Sequence, residues 1–245
     1  MAADLALVRA LRQTLAAQAQ PDKAGPMHAY MKSALPFWGV AAPARRRLVA
    51  AIAAQHPVVD GQTLLDSVGE LWHGATHREE RYVALDLLRQ PALRRLMDLR
   101  WLSVLQELIL TGPWWDHNDE ISGQALPWLL QRHPNDVKPT LRQWARSDSL
   151  WLRRAAMLSQ RSLKAPYFDA VLFYDCILPS TGNGDQAREF FVRKGMGWAL
   201  RERSYAAPEE VQAFCVEYRT QLSPLTLREA LRVITKRSAA DLALG

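Results

Sequence analysis

Apolar residues recur at steps of three and four along almost the whole 245-residue chain, and this rhythm constrains the fold more than any other feature. Runs in which β-branched and polar residues alternate are nearly absent, so the chain is expected to be all-α. Leu5, Val8, Leu11 and Leu15 mark a first helix, ended by a turn around Pro21. After Pro43, placed in a first helical turn, Leu48, Ala51 and Ile52 mark another, which stops before Pro57. Leu64, Val68, Leu71 and Trp72 repeat the spacing, as do Tyr82, Leu85 and Leu88, and then Leu102, Leu105, Leu108 and Ile109 in a helix after Pro91. Beyond a turn at Gly112 and Pro113 come Ile121 and Leu129, then Val137, Leu141 and Trp144, then Trp151 through Leu158. The last third carries Phe168 and Leu172, Val192 and Leu200, Val211 and Cys215, and Leu227 and Leu231.

About a dozen helices with short connections, and no linker long enough to separate independent modules, predict a single domain over residues 1–245. Trp72, Trp115, Trp151 and Trp198 recur at intervals of roughly 40 residues, the length of a HEAT-like helix pair. The expectation is therefore a HEAT-like helical repeat solenoid, curved so that its concave side offers a long surface to an elongated ligand.

The formal net charge of +6 favours a polyanionic partner and makes that concave face the basic one. No apolar run approaches the ~18 residues of a membrane span, and Asp4 and Arg9 interrupt the N-terminal stretch, so neither a membrane association nor a signal peptide is expected. Cys176 and Cys215 lie in apolar surroundings and read as buried thiols of a reducing cytoplasm. His73 and His77 alone have metal-compatible spacing, but Gly74 and Thr76 place a turn between them. No metal and no cofactor are expected.

Nine tryptophans exceed ordinary usage, and for Trp38, Trp101, Trp128 and Trp144 filling of gaps between helices is explanation enough. The stretch from Arg188 to Arg203 is different. On a helical projection Val192, Met196, Ala199 and Leu200 form an apolar arc, while Lys194, Trp198 and Arg201 share another face. Cations beside an indole suit a nucleic-acid strand, although an ordinary solvated face with one tryptophan has the same pattern. Trp115 and Asp119 are four apart at the start of a helix that begins near Trp114. A carboxylate beside an indole can act on a developing positive charge, or it can serve the backbone of the first turn; Asp116 is read as a cap. Asp148 reads as a helix cap, Arg153 as solvent-facing, and Arg154 as a partner of Asp119 or of a phosphate. Arg45, Arg46 and Arg47 form a charge run suited to phosphate.

Five segments taken together resemble the AlkD-type DNA alkylation repair glycosylases. They are Pro26 to Lys32, the Trp-Trp-Asp-x-x-Asp run from Trp114 to Asp119, Ser147 to Ala156, Phe190 to Glu202, and Pro224 to Ala230. The resemblance runs in order over nearly the whole chain. It implies a solenoid around duplex DNA that hydrolyses the N-glycosidic bond of cationic N3- and N7-alkylated purines without base flipping, leaving an abasic site. The family's catalytic carboxylate falls on Asp119, its lesion-facing tryptophans on Trp115 and Trp198, and its active-site arginine on Arg154. A DNA-contacting tyrosine falls on Tyr30 and a phosphate contact on Arg201. Pro127 departs from the family pattern and is expected to kink its helix. A monomer acting in the bacterial cytoplasm, associated with the nucleoid through double-stranded DNA carrying alkylated purines, follows. The alternative is a non-catalytic HEAT-like scaffold that binds DNA structures or a protein.

Overall fold

A computed structural model describes residues 2–182 and 184–244, with side chains throughout except at 186 and 236–244. All its regular structure is helical; no strand occurs among the described residues. The chain divides into two compact units, Met1–Val104 and Leu105–Gly245.

The first unit holds α1 (Leu5–Ala17), α2 (Pro21–Met31), α3 (Ala42–Gln55), α4 (Gly61–His73), α5 (Arg78–Leu87), α6 (Pro91–Arg94) and the start of α7 (Trp101–Thr111). Asp4 caps α1, its carboxylate accepting from the Ala6 and Leu7 amides at 3.0 Å each, and Leu7, Val8, Leu11 and Leu15 form the buried stripe. Leu5 opens α1 as expected, but the stripe spans about 100° of the helix and leaves Leu5 roughly 60° outside it and exposed. Ala51 is exposed on α3 for the same reason, whereas Leu64, Val68, Leu71 and Trp72 are all fully buried on α4.

Two boundaries differ from the expected ones. Pro21 does not merely end α1 but opens α2 as its first residue, and α2 tolerates Pro26 inside it; with Met31 its one buried residue, no apolar stripe announces this helix. The helix expected after Pro91 is two, α6 and α7, separated around Asp98 to Arg100.

The second unit holds the rest of α7, then α8 (Trp115–Glu120), a π-helical turn (Ile121–Ala125), α9 (Leu126–Arg132), α10 (Pro134–Trp144), α11 (Leu150–Leu158) and α12 (Ala170–Ile177). A 3₁₀ turn (Leu178–Ser180), α13 (Asp185–Arg188), α14 (Phe190–Ser204), α15 (Pro208–Glu217) and α16 (Pro224–Leu244) complete it. Contacts pass along the chain: α8 and α10 meet α11, α11 meets α14, and α14 meets α15 and α16. That order is consistent with a helical repeat, in which each element packs only on its neighbours. The core beneath α14 is built from Met157, Leu158, Phe173, Val192, Met196, Leu200 and Val211.

The π-helical turn absorbs the irregularity expected at Pro127. An extra residue in the turn resets the backbone ladder, so Pro127 enters within the first turn of α9, where a missing N–H costs little. No helix among the described residues is long and apolar enough to cross a membrane.

Candidate active site

Gly112 and Pro113 end α7, and Trp114, in extended backbone, stands at the N-terminal boundary of α8. The helical turn that follows puts Trp115 and Asp119 on one face of α8. Two buried contacts fix α8: the Asn118 side-chain amide donates to the Trp151 carbonyl at 2.7 Å, and Ser122 Oγ donates to the Asn118 carbonyl at 2.8 Å.

Asp119 faces α11. Arg154 grips its carboxylate with both prongs, Nε to Oδ1 at 2.9 Å and Nη2 to Oδ2 at 3.0 Å, and sends Nη1 to the Phe191 carbonyl of α14 at 2.6 Å. One arginine therefore joins three helices. Glycine at 195 leaves room for this grip, because a Cβ there would lie 2.9 Å from Arg154 Nη1 and the guanidinium would have to shift. The Arg154 side chain is 4% exposed and that of Asp119 15%, so the pair sits at low dielectric while the Asp119 side chain keeps a small exposed part. Burial pushes the Asp119 pKa above its ordinary value, outweighing the pull of Arg154 and then Arg161 in the other direction.

Trp198 projects from α14 with its indole N–H donating to Glu202 at 2.9 Å, and the Arg161 guanidinium stacks over its ring, 4.1 Å from the centroid. The neighbouring cations are paired: Lys194 meets Glu229 at 2.6 Å, and Arg201 donates to the same carboxylate. Gly197 allows this close crossing, since a Cβ would come 2.7 Å from the Glu229 Cβ. Beside the site, Trp114, Trp151 and Phe191 form an aromatic cluster with centroid separations of 5.0 to 6.0 Å.

The structure pairs Arg154 with Asp119, sets Trp115 one helical turn before Asp119 on α8, and links Trp198 to the Asp119 backbone through Arg161. Several other expectations are corrected. Arg153 is not solvent-facing: it is buried, with Nη1 donating to the Ser147 and Asp148 carbonyls, because carbonyl acceptors let an arginine enter an apolar environment. Ser149, not Asp148, caps α11. Arg45 is withdrawn from the expected phosphate-binding run, buried in an ion pair with Asp86 at 2.6 Å and stacked 4.5 Å from the Tyr82 ring centroid, while Arg46 and Arg47 are exposed. Tyr30 is exposed on the first unit. His117 is fully buried, its Nδ1 3.1 Å from the Gly112 carbonyl.

Sequence reasoning missed Arg161, Glu202 and Glu229. Both cysteines are buried and unbridged, with burial pushing Cys176 up to about 12 and Cys215 up to about 11, which leaves neither as a nucleophile at neutral pH. Among the described residues no group of three His, Cys, Asp or Glu side chains is placed to hold a metal ion.

The all-helical fold is the one that the resemblance of the five sequence segments to AlkD-type proteins implies. The family comparison agrees: the model of the family described as DNA alkylation repair enzyme matches residues 11–234, and the chain belongs to that family. It is similar to a solved structure of a predicted DNA alkylation repair enzyme from Enterococcus faecalis, at 28% identity and a TM-score of 0.74, over 87% of this chain and 95% of that one. No curated protein matches the chain.

Proposed function

We propose that this protein is a monofunctional DNA glycosylase that removes cationic N3- and N7-alkylated purines from duplex DNA. The observation that carries the reading is the Asp119 side chain, which keeps a small exposed part and is oriented by Arg154 on the same helix face as Trp115. Membership of the DNA alkylation repair enzyme family supports DNA as the substrate.

An alkylated purine with a formal positive charge departs as a neutral base, taking the electron pair of the C1′–N bond. The barrier is the oxocarbenium-like sugar left behind. Asp119 opposes that charge and orients water, whose oxygen bonds to C1′ as its proton is released. Trp115 and Trp198 offer aromatic faces to the deoxyribose. Backbone contact, without extrusion of the base, reads the lesion. The reading is tested by release of free 7-methylguanine or 3-methyladenine from methylated duplex, with an abasic site remaining; tight binding with no released base would instead establish a non-catalytic scaffold.

Two expectations follow from the charges. The ionised form of Asp119 is the active one, so excision falls as the carboxyl gains its proton. Because its pKa is raised, that acid limb lies above the ordinary carboxylate value of 3.8. A single-turnover rate profile against pH locates the limb, and the residual activity of Asp119→Asn should lack it. Duplex binding, in turn, should weaken steeply with salt through counterion release, on the order of 10³-fold between about 50 and 200 mM, with the same slope for undamaged and alkylated DNA. Affinity that stays flat over this range in a fluorescence-anisotropy titration would place the DNA elsewhere than on the basic residues named here.

A further inference from the structure

The Asp119 site contains a cation to which the proposed chemistry assigns no task. Arg161 follows the end of α11, and its guanidinium reaches into the site at two points. It stacks on one face of Trp198, 4.1 Å from the ring centroid, and its Nη2 donates to the backbone carbonyl of Asp119 at 3.3 Å. A guanidinium on one face of an indole leaves only the opposite face for a ligand. With Glu202 holding the ring N–H at 2.9 Å, the tryptophan is fixed both at its edge and on its face. Burial pushes the Arg161 pKa below the ordinary guanidinium value, against the pull of Asp119, Glu202 and Glu120.

The backbone opposite is shaped to receive it. The π-helical turn presents Gly123 to Arg161 so closely that a Cβ at 123 would fall 2.2 Å from Nη2, a separation no pair of non-bonded atoms sustains. The adjacent Ser162 hydroxyl donates to the Gly123 carbonyl at 3.0 Å. Residues 161 and 162 therefore take two carbonyls on the side of α8 and its π-helical turn, one of them belonging to the catalytic candidate itself. π-Helical turns are often found at functional sites, and here the turn makes room for a side chain that spans from one candidate to another.

We propose that Arg161 is a positioning residue: it clamps the Trp198 indole on one face and anchors the backbone of Asp119, holding ring and carboxylate as one unit, with Gly123 as the vacancy that admits it. Its effect on excision rests on the glycosylase reading above; the clamp itself does not. Arg161→Met removes the guanidinium and keeps an unbranched side chain, whereas Gly123→Ala leaves Arg161 in place and forces its guanidinium out.

The test combines two readouts on the full chain. In ¹H–¹⁵N spectra, the Trp198 indole resonance, identified by its loss in Trp198→Phe, is expected to move in both variants. Single-turnover excision is expected to fall roughly 10- to 100-fold in each, the scale on which a misplacement of about 1 Å acts. Affinity for undamaged duplex should stay within about threefold. The double variant should be no slower than the worse single one, because both changes break the same clamp. An indole resonance unmoved in Arg161→Met, or losses that multiply in the double variant, would overturn the proposal, and so would wild-type excision in Arg161→Met. If Gly123→Ala does not fold, Arg161→Met decides alone. If the wild-type protein releases no alkylpurine, the glycosylase reading fails and the indole resonance still decides the clamp.

Discussion

Asp119→Asn is expected to slow single-turnover release of 7-methylguanine on the order of 10²- to 10³-fold. The substitution keeps the shape of the side chain and removes the charge that opposes the oxocarbenium, a loss of about 3 to 4 kcal/mol in the barrier. It also changes the fold's electrostatics, because Arg154 is almost wholly buried and loses its ionic partner. Breaking one side of such a pair costs about 3 to 5 kcal/mol when the remaining charge is left uncompensated. Here the Phe191 carbonyl and the Asn oxygen still accept from the guanidinium, so the cost lies below that range and the melting temperature falls without loss of the fold. A second pair of substitutions separates stability from chemistry. Asp119→Leu with Arg154→Met removes both charges, recovers stability relative to Asp119→Asn, and stays as inactive, because apolar replacement of a buried ion pair is often neutral or better. Excision by Asp119→Asn within a few-fold of wild type, in protein shown to be folded at the assay temperature, would remove Asp119 from its assigned role.

The helices were legible wherever burial is a matter of apolar periodicity. Leu64, Val68, Leu71 and Trp72 show this, as does the apolar arc of α14, where Val192, Met196, Ala199 and Leu200 are all buried. Periodicity is blind where burial is achieved by polar means. Arg45 and Arg153 enter the interior because Asp86 and two backbone carbonyls, distant or invisible in sequence, meet their guanidinium groups. α2 was missed for the converse reason, since a helix with a single buried residue has no stripe to read. Within the site, spacing alone placed Trp115 and Asp119 on one face and left two partners open for Arg154; the fold chose Asp119. Arg161 left a different sort of trace. Nothing in its own neighbourhood marks it, but Gly123 is small where Arg161 must pass, as Gly195 is for Arg154, and a glycine inside a helix is a signal of close approach that apolar counting ignores.

The same site predicts a sharp dependence on the charge of the lesion. Neutral lesions such as hypoxanthine or 1,N6-ethenoadenine need a proton delivered to the base as the glycosidic bond breaks, whereas 7-methylguanine and 3-methyladenine carry their positive charge already. The groups assigned here act on the sugar: Asp119 is an acceptor when ionised, and Arg154 holds its protons in hydrogen bonds to that carboxylate and to Phe191. His117 is the histidine nearest in sequence, yet it is fully buried with Nδ1 directed at the Gly112 carbonyl, an orientation that serves the turn between α7 and α8. Excision of 7-methylguanine is therefore expected to exceed that of hypoxanthine by at least the roughly 10²-fold that a positioned acid typically contributes. His117→Ala should destabilise the turn while preserving this ratio. The measurement is single-turnover release of each base from matched duplexes by both proteins. Hypoxanthine released at a rate comparable to 7-methylguanine, and lost on His117→Ala, would identify His117 as a general acid and put proton donation, not lesion charge, at the centre of the mechanism.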